Sequence, residues 1–399
     1  MRDIEMEEFD VVIVGAGLAG LHLARLLATE KVRVLLVDAK RAVDERVHTT
    51  GIFVRRTLED FALPADCLGA AVSRVTLYSP ARRSLQLESP HAEFRVGRMG
   101  RLYARLLAEC CQAGVEWSPA TRYAGCTTEA AGGLSVVRLE RGGLTRTVAA
   151  RFLVGADGAR SRVARDLKLD CNREWLVGVE EVYAGVPLQS GEPRFHCYLD
   201  PRLAPGYLAW AVEDGEETHV GVGGYAARFD ALAALAEFRA GLASSFDFRR
   251  ARMTERRGGR IPVGGVLRRI ANERGLLVGD AAGAVSPLTA GGLDPALRLS
   301  SLAAHVTADY LRTGDASALA PYSGARFRAR FTSRLWMRRV LRGLNSPLAV
   351  EAACAALRLP VARELARHVF FGRGSFPDVA CPDVACAPTG DLLARKVVV

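Results

Sequence analysis

Lysine is nearly absent from this chain. Of 54 basic side chains only Lys31, Lys40, Lys168 and Lys396 are lysines, so arginine carries the formal net charge of +10. A surface of that sign favours anionic partners such as phosphates or an acidic membrane face. Nucleic acid is not an expected partner, because no DNA- or RNA-binding motif accompanies the charge. Also missing is any uninterrupted run of about 18 apolar residues, so no membrane-spanning helix is expected. The opening residues Met1 to Glu8 are acidic and lead straight into the first apolar run, which does not resemble a secretory leader. The nine cysteines (67, 110, 111, 126, 171, 197, 354, 381, 386) are odd in number and lack zinc spacing. They read as thiols of a cytoplasmic protein, with no metal site. What remains, 49% hydrophobic and 25% charged residues over a length of 399, suits a globular chain of two or three domains.

The most informative stretch is Phe9 to Asp38. Phe9 to Val14 has the composition of a buried strand and runs into Gly15-Ala16-Gly17-Leu18-Ala19-Gly20, after which a helical pattern begins. That is G-x-G-x-x-G between a strand and a helix, the signature of a dinucleotide site. Gly15 permits the tight turn, Gly17 lets a pyrophosphate approach the backbone, and Gly20 lets helix pack on strand. The helix start offers unpaired N–H groups and the positive end of its dipole to the phosphates. Val32 to Val37 is a second apolar strand, and Asp38 at its end stands where an acid accepts hydrogen bonds from a ribose diol.

Further along, residues 72–78 and 84–88 alternate around a Ser79-to-Arg83 turn and predict a hairpin outside the nucleotide domain. Arg98 precedes a helix that Gly114 stops, where a guanidinium can meet either a cofactor or solvent. Residues 134–154 supply further strands, the last of which ends in Gly155-Ala156-Asp157-Gly158-Ala159-Arg160-Ser161-Arg162-Val163.

This segment resembles the D-G-x-x-S-x-V motif of FAD-dependent oxidoreductases of the geranylgeranyl reductase and aromatic hydroxylase superfamily. Val278-Gly279-Asp280 is similar to that superfamily's third motif, a strand followed by G-D, and Pro287-Leu288-Thr289-Ala290-Gly291-Gly292 to the P-L-T-G-x-G loop that geranylgeranyl reductases place beside the flavin. The resemblance implies non-covalent FAD. Its ADP half would lie on Gly15, Ala16, Gly17, Leu18, Ala19, Gly20 and Asp38, and its flavin half near Arg98, Asp157, Gly279, Asp280, Pro287, Gly291 and Gly292. Asp280 would accept from ribityl hydroxyls, Gly291 and Gly292 would leave N–H groups free for the flavin, and Asp157 has a structural alternative. Thr49-Thr50-Gly51 occupies the place of the family's cysteine-containing loop. Trp210 matches the family's Y-x-W-x-F-P stretch, with Tyr207 one position off, so these two, with Thr50 and Gly51, are the candidate substrate contacts.

The expected fold is α/β: a doubly wound Rossmann-type FAD domain (residues 1–72, 94–165 and 268–310), an inserted antiparallel substrate sheet (73–93 and 166–267), and a helical C-terminal region (311–399). Seven arginines between 326 and 342 alternate with Phe327, Phe331, Leu335, Trp336, Val340 and Leu341. That pattern predicts an amphipathic helix docked with its arginine face in solvent, and the same composition suits contact with an anionic membrane. Pro377–Cys381 repeats as Pro382–Cys386, with no function assigned. Three functions stay open: a geranylgeranyl-reductase-like enzyme passing hydride to a C=C bond of an apolar isoprenoid or lipid, a monooxygenase working through a flavin C4a-hydroperoxide, and a non-catalytic flavoprotein or electron carrier. NAD(P)H or another external donor would supply electrons. No catalytic acid or base can be named. The expected location is cytoplasmic, peripheral to the inner membrane face if the arginines bind lipid.

Overall fold

The computed structural model describes residues 6–128 and 133–372; the Pro377–Cys386 duplication lies outside them. Five parallel strands form its centre, in the order Gly275–Leu277, Leu144–Gly155, Glu8–Val14, Val34–Val37 and Glu116–Ser118. Glu8–Val14 takes the middle because it is apolar on both faces, with Val11, Val12 and Ile13 fully buried. Strand order reverses on either side of it, which creates a switch point beyond the strands' carboxyl ends, where ligands of such sheets bind. Helices Leu18–Thr29, Met99–Gln112 and Leu293–Thr313 pack side by side and share one apolar core with the sheet.

A second, seven-stranded sheet runs Arg252–Pro262, Trp175–Ala184, Glu217–Gly224, Ala209–Glu213, Arg194–Tyr198, Arg74–Tyr78 and Ser84–Glu88. It is antiparallel except where Arg194–Tyr198 meets Arg74–Tyr78 in parallel. These two strands come from separate stretches of chain, so no hairpin sets their relative direction, and the expected wholly antiparallel sheet is corrected at this junction. Helix Ala231–Leu242 buries Leu235, Phe238 and Leu242 under one face of this sheet. A small sheet of Ile52–Val54, Phe94–Gly97 and Leu68–Val72 lies beside it.

The C-terminal region is helical, as Gly324–Ala329, Thr332–Gly343, Pro347–Ala356 and Pro360–Phe371. The arginine pattern departs from expectation in part: Arg326, Arg330, Arg339 and Arg342 are exposed and Phe327 and Phe331 buried, but three arginines turn inward. Arg338 is 2% exposed while Trp336 is 65% exposed. Arg328 donates to the carbonyls of Gly264 and Val266, and Arg334 to Ser286 Oγ. The body offers these guanidiniums loop oxygens as acceptors, so they turn inward, while Trp336 and Val340 are left outside. No described helix is long and apolar enough to cross a membrane.

Candidate functional site

The glycine loop is shaped as its sequence requires. Gly15 has φ +107°, and a Cβ there would sit 2.3 Å from Ala156 O. A Cβ on Gly20 would fall 2.0 Å from Gly15 O, inside the turn itself. Gly17 differs, since a Cβ on it would meet nothing within 4 Å. Its surface is open to the cavity, where a phosphate needs the room. The helix that follows has Gly17 as N-cap with no side-chain cap, so its first N–H groups are left for a ligand. Asp38 braces the loop: Oδ2 accepts from Ala16 N–H and Oδ1 from Lys40 N–H, each at 2.8 Å.

Beyond the strand ends lies a cavity of about 970 Å³. Of the residues singled out from sequence, Gly17, Leu18, Ala19, Thr50, Gly51, Asp157, Tyr207, Trp210, Gly279, Asp280, Gly291 and Gly292 line it. Gly15, Ala16, Gly20 and Asp38 shape the wall from behind, and the Pro287 carbonyl accepts from Arg338 Nε at 2.6 Å. Arg98 is a correction. Its guanidinium is held by Asp214, Glu216 and Glu217 at 2.5, 3.0 and 2.9 Å, outside the cavity lining. Three carboxylates outcompete a cofactor contact for one cation.

Asp157 Oδ2 accepts from the N–H groups of Arg162 and Val163 and so starts helix Arg162–Asp166, while its Oδ1 is buried without a partner. Asn172 ties this motif to the next by donating to the carbonyls of Ala159 and Asp280. Gly279 turns with φ +58° against Ala19, a position suited to glycine. Asp280 stands on the inner cavity wall, reachable by water through the cavity but far below the outer surface, and burial raises its carboxyl to about 6. Helix Leu293–Thr313 begins at Gly292, again without a side-chain cap. An open glycine, two uncapped helix starts, an orphaned carboxylate oxygen and a buried acid needing donors match the phosphates, hydroxyls and ring of FAD.

Asp280 gives a pH-dependent prediction. With its folded value raised from 3.8 to about 6, stability present below pH ~4 is lost as pH rises through ~6, about 2–3 kcal/mol in the apoprotein at neutral pH. Asp280→Asn is therefore expected to stabilise the apoprotein at pH ~7 and not at pH ~4. The same change removes charge-assisted acceptance and weakens FAD about 10- to 100-fold. Thermal unfolding at both pH values and a flavin titration check this, and unchanged FAD affinity would remove Asp280 from the site.

The seven-stranded sheet turns a face of glycines to the cavity. A Cβ on Gly221 would lie 2.3 Å from Trp210 Cζ2, and one on Gly223 would lie 2.8 Å from Tyr207 Cδ1. These glycines let both rings lie flat on the strand. Tyr207 then donates to Thr289 O at 2.7 Å, joining this sheet to the loop before Gly291. Trp210 Nε1 and Thr50 Oγ1 both donate to Glu180 Oε2, at 2.8 and 2.6 Å. Glu180, with His219 and Arg257 beside it, was not found from sequence. The available signal was an acid doublet, Glu180-Glu181, inside the apolar strand Trp175–Ala184.

The model of the FAD binding domain family matches residues 8–332. The chain is 26% identical over 321 residues to a digeranylgeranylglycerophospholipid reductase of Methanocella arvoryzae, covering 78% of this chain and 81% of that one. It is 29% identical over 334 residues to the protein of the same name from Methanosphaerula palustris, covering 79% and 80%. Among solved structures, a geranylgeranyl bacteriochlorophyll reductase-like protein of Thermoplasma acidophilum superposes with TM-score 0.72 at 20% identity over 90% of this chain and 99% of that one. The flavin-dependent monooxygenase PieE, solved with FAD and substrate, does so with TM-score 0.67 at 19% identity over 94% and 73%. Taken with the glycine cradle and the Asp280 wall, the match over most of its length establishes that this chain belongs to the FAD binding domain family and is an FAD-dependent oxidoreductase of the geranylgeranyl reductase and aromatic hydroxylase superfamily.

Proposed function

We propose that the protein reduces C=C bonds of a long apolar substrate, isoprenoid or lipid-like. One observation carries the reading: the glycine-walled end of the cavity continues into an apolar end lined by Leu77, Phe94, Phe195, Leu208, Met337, Leu341, Val369 and Phe370. A small polar aromatic would leave that end unfilled, whereas a prenyl chain buries it, at roughly 25 cal/mol per Å². The similarity to digeranylgeranylglycerophospholipid reductases, whose name places them on prenylated lipids, supports the same substrate class.

FAD, when bound, supplies the hydride. The loop from Gly15 to Gly20 and Asp38 hold its ADP half. Asp280 and the N–H groups at Gly291 and Gly292 hold the flavin half, where backbone donors stabilise negative charge. Asp157 orders the turn behind the same wall by accepting from the N–H groups of Arg162 and Val163. Trp210, Tyr207, Thr50 and Gly51 face the substrate. NAD(P)H or another external donor re-reduces the enzyme. The domain boundaries drawn from sequence are retained as part of this proposal.

The proposal includes contact with an anionic membrane. To the arginines that stay exposed, Arg326, Arg330, Arg339 and Arg342, the structure adds apolar side chains that the C-terminal helices leave outside. Trp336, Leu359, Val361 and Leu365 are all more than half exposed. Arg339 is exposed beside Trp336 and contributes roughly 1 kcal/mol near such a surface.

The experiment presents a geranylgeranylated glycerophospholipid in anionic and in neutral vesicles to FAD-loaded protein reduced anaerobically with dithionite. The expected product gains two hydrogens for each double bond reduced, and forms faster from anionic vesicles, a difference that added salt removes. Lipid that stays unchanged without oxygen but gains an oxygen atom in air would make the protein a monooxygenase. Lipid unchanged under both conditions would leave an electron carrier. Equal rates from the two vesicles would remove the membrane contact alone.

A further inference from the structure

A buried polar chain runs from strand to strand along the cavity-facing side of the seven-stranded sheet. Glu180 is 3% exposed and His219 fully buried. Glu180 Oε2 accepts from Thr50 Oγ1, which faces the cavity, while Glu180 Oε1 lies 3.4 Å from His219 Nδ1 and 3.7 Å from Arg257 Nη1. On the ring's other side, His219 Nε2 has no hydrogen-bond partner. It lies 3.6 Å from Glu217 Oε2 and 3.8 Å from Asp214 Oδ2. Glu217 is 26% exposed and meets solvent. Carboxylates and an imidazole this deep cost several kcal/mol to desolvate, and apolar side chains would pack the sheet more cheaply.

We propose that Glu217, His219, Glu180 and Thr50 form a proton relay from solvent to the substrate. The proposal rests on the alkene-reducing reading above. In that reaction hydride adds to one alkene carbon and a proton to the other. The π bond is lost, two C–H bonds form, the alkene is reduced and the flavin oxidised. The proton leaves His219 Nδ1 for Glu180 Oε1, and the carboxyl group carries it across by rotation about Cγ–Cδ. Thr50 Oγ1 takes it from Glu180 while giving its own proton to the carbon. A ring flip turns the free nitrogen of His219 toward Glu217, which delivers the next proton from water.

The charges around the relay store its proton on His219 at rest, and the step to Glu180 runs uphill until Thr50 has given its own proton away. Burial works to lower the His219 value, but Asp214 and Glu180 outweigh it and raise it to about 9. The imidazolium therefore persists at neutral pH. Burial works to raise Glu180, yet His219, Arg257 and Thr50 hold it below the usual carboxylate range. Two fixed cations complete the cluster: Arg98, ion-paired to Asp214, Glu216 and Glu217, and Arg257, ion-paired to Glu255 beside Glu180.

The test combines NMR of FAD-loaded, oxidised protein carrying ¹⁵N-histidine with rates of lipid reduction. The spectrum contains seven histidines, and the His219 signal is identified by its loss in His219→Gln. It is expected to report imidazolium at neutral pH and to titrate at about 9. Glu180→Gln should move that titration down by about one pH unit or more, and the alkaline limb of the rate profile should move with it. Thr50→Val should keep FAD and the His219 titration but slow reduction about 100-fold, and Thr50→Ser should restore the rate to within about 3-fold. With lipid reduction intact in the parent protein, a neutral His219 at pH ~7, a titration unmoved by Glu180→Gln, or a Thr50→Val variant at full rate each overturns the relay alone. A parent protein that reduces no alkene overturns the underlying reading and the relay with it.

Discussion

Gly20→Val is expected to yield a colourless protein that does not retain FAD through purification. The first atom of any side chain at position 20 would lie 2.0 Å from Gly15 O, and that oxygen belongs to the turn itself. Helix Leu18–Thr29 would have to lift from strand Glu8–Val14, which also strips contacts from Leu21 and Ala24, both fully buried. Overpacking of a tight contact costs about 1–3 kcal/mol or more, so the melting temperature should fall as well. Gly17→Ala is the informative partner. Gly17 has φ −82°, which any residue adopts, and its Cβ would meet no protein atom. The apoprotein should therefore melt within about 1 °C of the parent, a change under about 1 kcal/mol. FAD affinity should nevertheless drop at least about tenfold, because the methyl group fills the approach to the pyrophosphate. Absorbance of bound flavin after gel filtration, together with melting curves, separates the two roles. A yellow Gly20→Val protein, or Gly17→Ala with unchanged affinity, would contradict this account of the loop.

The pair also shows why this part of the site was legible in the sequence. Its requirements are local: a turn, an open backbone position and a close helix contact all fall within six residues. The same holds for Gly279-Asp280, a turn with positive φ followed by an acid at a strand end. Arg98 reads ambiguously from sequence because its decisive partner, Asp214, lies 116 residues away. Glu180 depends in the same way on Thr50, 130 residues distant, and on His219, 39 residues distant. Strand Arg252–Pro262 is hard to read from sequence for another reason. Its arginines at 252, 256, 257 and 260 hide the alternation, since as an edge strand it pairs on one side only and exposes much of its length. The glycines of Glu217–Gly224 were visible, but only the rings of Trp210 and Tyr207 explain them.

Arg338 is the residue for which sequence and structure disagree most, and Arg338→Met is expected to be the most destabilising single change among the C-terminal arginines. Its Nε donates to Pro287 O at 2.6 Å, Nη2 to Leu288 O at 3.1 Å and Nη1 to Gly206 O, with the guanidinium 5.3 Å from the Tyr207 ring centre. One side chain thus fastens helix Thr332–Gly343 to the loop before Gly291 and to the turn before Tyr207. Methionine matches the stem but leaves three inward carbonyls without donors, a loss of about 3–5 kcal/mol. In a chain of this size that corresponds to a fall of roughly 4–6 °C in melting temperature. Lysine should recover only part of it, because a point charge cannot serve three separated acceptors as the planar fork does. Arg339→Ala, one residue on and exposed, should change stability by no more than about 0.5 kcal/mol. The flavin and the substrate should respond differently. Loosening the Pro287–Leu288 segment weakens FAD only a few-fold, since Asp280 and the Gly15–Gly20 loop stay in place. Met337 and Leu341, carried on the same helix, lose their position on the apolar end of the cavity, so KM for lipid should rise more than the FAD dissociation constant. Equal effects of Arg338→Met and Arg339→Ala on melting would return the helix to the solvated arginine face that its sequence suggests.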